Sequence, residues 1–555
     1  MAKPRSKPQL SLECAHVDDD AAGIGLEHWC RGFFTHIYCA FDDAQFADMY
    51  QEGGRYPISP SLLASVTILQ YMFKASDRAA VEQTIMRRDW RLALGRDKRW
   101  EGFCPTVLVD FRQRLRAHGM ERLIFHTVLG KLRQLGLLSG QRRLRMDATK
   151  LVADVARLSR ADALQEAIRI VVCDLCRRYP ALLQRADFAR LYEQYGAEVW
   201  LGMGSSDVER LSELGRDGQA VLALCGELAA KGKEVLAQML GENFIFDEAG
   251  EPQPMESNER PHDHIMTPHE PDVRVGRKGD ELWWGDKVHV CETADEGQAN
   301  VIVDVVTTDP RVEDSTMTEE LAQRAKFAVP EAQMLLADGG YSSGANTTQV
   351  AAAGLDLVSP PRPNTRTGQI CAQEFELDFV RRIARCPAGQ ESTYWRVRGR
   401  ETTVRFAAQV CAACPRRAEC TTSEQGRSLG ISKHYQQLVR DRQRAQTAEF
   451  AELYRRRAGI EATISHLVHD CGLRRSRYRG TPGRALHALM AATALNVRRL
   501  LHWLAESEGP DSGACAALCR VFAGLSRALQ GAPEALPGPI PGVPGPSRQL
   551  AALVT

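Results

Sequence analysis

"RRLRMDATKLVAD", residues 142–154, marks the point where the chain changes period. Leu144, Met146 and Ala148 alternate with Arg145 and Asp147, a two-residue repeat that belongs to a strand. Everything upstream reads as helix. "SPSLLASVTILQYMFKA" (59–75) opens on a Ser-Pro cap signal and repeats apolar residues at helical spacing. "SDRAAVEQTIMRRDWRLALG" (76–95) runs from an N-cap serine to a terminal glycine, and "TVLVDFRQRLRAHGM" and "ERLIFHTVLGKLRQLGLL" continue the pattern to residue 138. The expectation is a helical N-terminal domain over 1–140, rich in arginine on its outer faces. Residues 141–155 would then supply the first strand of a second unit.

Downstream of 155 the pattern returns to helix, through "RADALQEAIRIVVCDLCRRY" and "SSDVERLSELGRDGQAVLALCGELAAKGKEVLAQML", which predicts a helical insertion over 156–255. "EAGEPQPMESNERPHDHIMTPHEPD" (248–272) is polar and proline-rich, an exposed loop. Three strand-like runs follow: "LWWGDKVHVCE" (282–292), "ANVIVDVVTTD" (299–309) and "QMLLADGGY" (333–341). A helix-like "MTEELAQRAKFAV" lies between the last two. Strands interleaved with helices predict an α/β core over 275–360. A segment rich in Cys, Arg and Gly interrupts it at 361–430, a long helical stretch resumes it at 431–505, and a proline-rich tail over 506–555 has no packing signal.

Bulk composition excludes some classes of function. The 71 Lys+Arg against 70 Asp+Glu leave a formal charge of +1, so any contact with a polyanion must come from local basic patches. "MAKPRSKPQLSLECAHVDDD" carries no apolar export signal, and the longest apolar stretch, "ALHALMAATALNV", falls short of a membrane span. Sixteen cysteines in such a chain predict a reducing, cytoplasmic setting.

Three acids draw attention. Asp147 sits within the first strand, and Asp338 follows the buried run "MLLA" at a strand end, before Gly339 and Gly340. Glu461 lies in "YRRRAGIEATISHL" (454–467), where Tyr454, Arg457 and Glu461 would share one helical face beside a stripe of Leu453, Ile460, Ile464 and Leu467. Carboxylates converging from two strands and a helix can hold Mg²⁺ ions for phosphodiester chemistry. A single strand-end aspartate is more often a turn or cap residue, and a helical glutamate a solvated one. Spacing leaves Asp154, Asp286, Asp304 and Asp309 as alternatives.

The same stretch resembles the third signature of the DDE transposases of bacterial insertion sequences: Tyr, two residues, Arg, three residues, Glu, six residues, Lys. Tyr454, Arg457 and Glu461 match, and Val468 stands where the lysine is expected. "MDATKL" resembles the family's first catalytic strand and "LADGGYSS" its second. "RYPISPSLLASVTILQYMFKASDRAAVEQ" and "CPTVLVDFRQRL" are similar to its helical N-terminal domain, "GDKVHV" to a strand usually written Gly-Tyr-Lys-x-His, and "GLRRSRYRGTPGRALHALMAATALNVRRL" to its C-terminal ending. The resemblance implies a ribonuclease H-like core that cuts transposon ends and joins them to target DNA with Mg²⁺ or Mn²⁺, acting as a homodimer in the bacterial cytoplasm, at the nucleoid. Asp147, Asp338 and Glu461 would hold the metals. Arg457 would neutralise phosphate or orient Glu461, and Tyr454 would contact DNA or pack beside the acid. Arg474, Arg475, Arg477 or Arg479 would replace the missing lysine. The competing expectation is a zinc-stabilised DNA-binding or regulatory descendant without catalysis.

Cys386, Cys411, Cys414 and Cys420 occur as C-P-x-G followed by C-x2-C-x5-C, a pattern able to hold structural Zn²⁺, with free thiols as the alternative. Cys173 and Cys176 read as buried core thiols. "GLRRSRYRGTPGR" packs arginines around a tyrosine with no acid nearby, a DNA-facing patch. Lys287 and His289 alternate to one face of their strand as DNA or metal neighbours.

Overall fold

The computed structural model describes residues 24–25, 28–51, 53, 57–155, 158–196, 207–362, 370–399 and 401–507. The tail from 508 onward and the first 23 residues lie outside the described residues. A six-stranded mixed sheet forms the centre: β1 (Arg143–Val152), β2 (Arg274–Lys278), β3 (Glu281–Thr293), β4 (Ile302–Thr308), β5 (Met334–Leu336) and β6 (Asp356–Val358). Four helices matter to the site: α1 (Pro60–Met72), α2 (Asp314–Ala328), α3 (Gly459–His469) and α4 (Thr481–Ser507).

The strand repeat at 142–154 becomes β1, with Leu144 and Met146 buried on one face. β1 pairs antiparallel with β3, from Leu144 opposite Thr293 to Val152 opposite Gly285, and parallel with the short apolar β5. β5 in turn pairs parallel with β6. The far edge of β3 carries β2 along its first residues and β4 along its last. Gly285 sits where β3 passes from one partner to the other. Its φ of 147° suits glycine, and a Cβ there would collide with the Leu151 carbonyl of β1.

The N-terminal helices do not stand apart from this sheet. α1, capped by the Ser59 hydroxyl, is buried along its whole length. It packs on α4, which also lies against β4 and the helix Leu123–Gln134. One continuous cluster of buried side chains therefore runs from Trp29 through the sheet to Ala505.

Helices Arg160–Arg178, Ala186–Tyr195, Val208–Cys225 and Lys233–Asn243 enclose a second core around Leu164, Ile168, Phe188 and Leu214. Cys173 and Cys176 are half-buried on its edge, not buried within it, and the Cys173 thiol reaches the Gly196 carbonyl. The proline-rich segment is not all loop. Pro252–Pro254 pairs with Phe244–Phe246, and Glu270 is buried against Arg484. Arg484, on α4 and 0% exposed, also binds Asp286 of β3 and Asp272, so one guanidinium ties the exit of these helices to the sheet.

The cysteine-rich segment has its own small core of Val404, Phe406, Leu429 and Ile431. Around it lie a three-stranded antiparallel sheet of Tyr394–Arg398, Glu401–Arg405 and Ser428–Ser432 and a hairpin of Glu376–Asp378 with Ile383–Arg385. The expected long helical stretch is broken. Helices Tyr435–Arg444 and Ala448–Arg455 precede a 3₁₀ turn at Arg456–Ala458, and α3 ends before Gly472, whose φ is 73°. Gly480, at φ 76°, then turns the chain into α4.

Candidate active site

The last pair of the β1–β5 ladder is Arg145 with Leu336; Asp147 lies two residues further along β1, and Asp338 two residues past the end of β5. The parallel register therefore delivers both acids to the same place. They line one cleft of about 520 Å³ together with Lys150, Lys287, Asp314 and Arg474. Asp338 also caps the turn Gly339–Tyr341, accepting the Gly340 N–H at 2.9 Å. A Cβ on Gly340 would lie 2.9 Å from Asp338 Oδ1 and 3.2 Å from Asp314 Oδ2, so glycine makes room for both carboxylates. Burial holds the Asp147 carboxyl above the usual carboxylate range, and the charge of Asp338 adds to this. The Ala148 N–H and Arg457 pull it the other way.

Glu461 joins through an intermediary. Tyr454 lies in the last turn of one helix, Arg457 in the 3₁₀ turn and Glu461 in the first turn of α3, so the signature is not one continuous helix. The turn still brings the three together. Arg457 donates Nη1 to Asp147 Oδ2 and Nη2 to Glu461 Oε1, both at 2.8 Å. Its guanidinium lies 5.6 Å from the Tyr454 ring centroid, and that ring stacks on Phe450. The Glu461 side chain is 64% exposed.

The other acids are taken up in ion pairs: Asp154 with Arg475, Asp286 with Arg484, Asp304 with Arg122 and Arg324, and Asp309 with Arg311. Asp314 also lines the cleft, and no sequence motif marks it. It lies in "RVEDST", where nothing marks it off from an ordinary acid in the first turn of a helix, and its partner is Lys287 at 2.9 Å.

The basic residues divide. Arg474 lines the cleft, donating to Thr149 Oγ1 and the Lys150 carbonyl. Arg475 is exposed beside Asp154, and Arg479 is exposed with its carbonyl toward Arg116. Arg477 turns to the Ala75 carbonyl and the Tyr71 ring. Val468 packs against the main core. His289 is buried, bonded to the Tyr341 hydroxyl at 2.7 Å and to Thr308 Oγ1 at 3.1 Å, and burial pushes its pKa down to about 4.

Cys386, Cys411, Cys414 and Cys420 line one cavity of about 30 Å³. Two of their sulfurs accept backbone N–H groups, Cys386 from Gln390 at 3.3 Å and Cys411 from Arg427 at 3.4 Å. Burial raises the Cys420 thiol, as do the three neighbouring cysteines, against the pull of Arg427. Among the described residues no three Asp, Glu, His or Cys side chains form a ready-made metal cage.

Comparison with known proteins adds the decisive observation. Residues 385–501 match the family model of a transposase DDE domain, and residues 26–114 match that of a transposase domain, DUF772. The two matches support a DDE transposase of insertion sequences. The first match spans the four clustered cysteines, Tyr454, Arg457 and Glu461, whereas Asp147 and Asp338 lie outside both. No curated protein and no solved structure matches the chain. A DDE transposase acts on DNA, and among the described residues no helix is long and apolar enough to cross a membrane.

Proposed function

We propose that this transposase cleaves the ends of its element and joins them to target DNA at the cleft lined by Asp147 and Asp338, with Glu461 held beside it through Arg457. The observation that carries the reading is the parallel pairing of β1 with β5, whose ends bring two aspartates to one cleft, with Arg457 linking one of them to Glu461. Strand order β4–β3–β1–β5–β6, antiparallel up to β1 and parallel beyond it, supports a ribonuclease H-like core.

The residues present suit a hard divalent cation, because the cleft offers carboxylate oxygens on a rigid sheet, one of them on a partly desolvated carboxyl. Asp147 and Asp338, with Glu461, would hold Mg²⁺ or Mn²⁺. When bound, such ions activate a hydroxyl nucleophile and stabilise the leaving oxygen. Lys150 and Arg474 give the cleft wall positive charge for the phosphate backbone. Arg457 donates to the half-buried Asp147 carboxylate and favours its ionised form. Two copies would pair the two ends. Four thiols around one small cavity, two of them already accepting N–H bonds, suit structural Zn²⁺ that fastens the cysteine-rich sheet.

The test is strand nicking and joining on a plasmid carrying the DNA that flanks the transposase's own coding sequence. Wild type should nick and join only with Mg²⁺ or Mn²⁺, and Asp338→Asn should do neither. Nicking without joining would indicate a nuclease, and binding without either would indicate a regulatory descendant.

A further inference from the structure

Arg145 and Asp147 are two residues apart on β1 and so face the same side of the sheet. Asp147 holds Arg457. Arg145 holds the residues around it: its Nη1 donates to the Arg456 carbonyl at 3.0 Å. Its guanidinium lies against Gly459, where any Cβ would overlap it. Two successive same-face positions of one strand thus grip the turn between 456 and 459 at two points.

Arg145 is itself fixed from behind. Glu292 stands opposite it in the β1–β3 ladder and accepts its Nε at 2.7 Å. Glu292 is 0% exposed. Its carboxylate also accepts the Thr463 hydroxyl of α3 at 2.9 Å and Arg499 Nη1 of α4 at 2.8 Å. One buried carboxylate therefore gathers two strands and two helices beneath the helix that carries Glu461. Such a buried network is a poor source of stability, since well-packed apolar residues of similar volume do as well or better. What it supplies is direction and register, which apolar packing specifies weakly.

We propose that Arg145, Glu292 and Thr463 are positioning residues of the transposition reaction, with Gly459 providing the gap that admits Arg145. They hold the 456–461 turn so that Arg457 and Glu461 face Asp147. The inference rests on the active-site reading above and extends it to residues that touch neither DNA nor metal.

The test uses Gly459→Ala, Arg145→Ala and the double variant in the full-length protein, with two readouts. The first is hydrogen exchange at amides 456–463, which needs no activity. Gly459→Ala should speed exchange there by about tenfold or more while the β1 amides stay protected. The second is single-turnover nicking of the same plasmid, which should fall about 100-fold, the penalty expected of an ångström-scale displacement. Binding of a duplex from the flanking DNA should stay within about twofold, because base and phosphate contacts are untouched. Adding Gly459→Ala to Arg145→Ala should cost nothing more, since both act through one contact. Unchanged exchange in Gly459→Ala, or additive losses in the double variant, would overturn the proposal. If Asp338→Asn nicks like wild type, the active-site reading fails instead, and the exchange measurement still judges this lock by itself.

Discussion

Arg457 and Asp147 are 310 residues apart in sequence, yet they meet as an ion pair at 2.8 Å, with both side chains largely withdrawn from solvent. The contact closes the sheet onto the late helices and sets the electrostatics of the cleft. Asp147 is pulled in opposite directions, toward protonation by burial and Asp338, toward ionisation by the Ala148 N–H and Arg457. Removing Arg457 removes part of the second pull, so the carboxyl pKa rises further. The acidic limb of the pH–rate profile for nicking should therefore move to higher pH in Arg457→Gln, with a rate loss of about 100-fold at neutral pH, as for other charge-orienting groups. An unchanged acidic limb would dissociate Arg457 from Asp147 in function.

Two buried imidazoles should make the protein sensitive to mild acid. Burial lowers His289 to about 4, and lowers His487 to about 3 with Arg477 contributing, against an ordinary value of 6.5. The fold thus favours the neutral ring in each case. Their contribution is complete above pH 6.5 and is lost as pH falls from there toward the folded-state values. For His289 that amounts to about 3 kcal/mol. Urea unfolding at pH 7.5 and pH 5 should show the loss, and His289→Gln should shrink the difference between the two.

Arg484 should be a stability residue with little part in chemistry. It is fully buried and serves Glu270 and Asp286, themselves buried. Deleting one side of such a network strands the other, at about 3–5 kcal/mol. Arg484→Met should lower the free energy of unfolding by that amount, read from urea titration, whereas Arg475→Met, on the surface beside Asp154, should change it by less than about 1 kcal/mol.

The cysteine cavity gives a stoichiometric prediction. Protein purified without chelator should release one zinc ion per chain when its thiols are titrated with a mercurial, and Cys411→Ser should release none. Chelation should increase proteolysis within 370–432 before it affects the main core, because that segment packs around a separate cluster of buried residues. Fully reactive thiols and no zinc would leave these as free cysteines.

The change of period at 142 was legible because β1 buries Leu144 and Met146 on one face while Asp147 stays on the other. Short motifs around Asp147 and Asp338 single them out, and the structure brings both to one cleft. Less legible was anything set by distant partners. "YRRRAGIEATISHL" reads as one helix, since nothing local announces the 3₁₀ turn, which is held by Arg145 from 311 residues away. Arg477 reads as part of a basic patch yet is directed into the N-terminal helices by Tyr71 and Ala75. The strands of the cysteine-rich segment were missed because charged and polar residues alternate along Tyr394–Arg405 with few apolar ones to mark an inner face. Asp314 depended on the placement of α2 against Gly340, which no local pattern encodes.

We propose that Asp147 and Asp338, supported by Glu461, hold a divalent cation. Crystals soaked in Mn²⁺ and measured at its absorption edge test it most directly. An anomalous peak is expected between the carboxylates of Asp147 and Asp338, absent in Asp338→Asn, with the Arg457 guanidinium displaced from Asp147. A cleft without a peak at saturating Mn²⁺, or a peak that persists unchanged in Asp338→Asn, would contradict it.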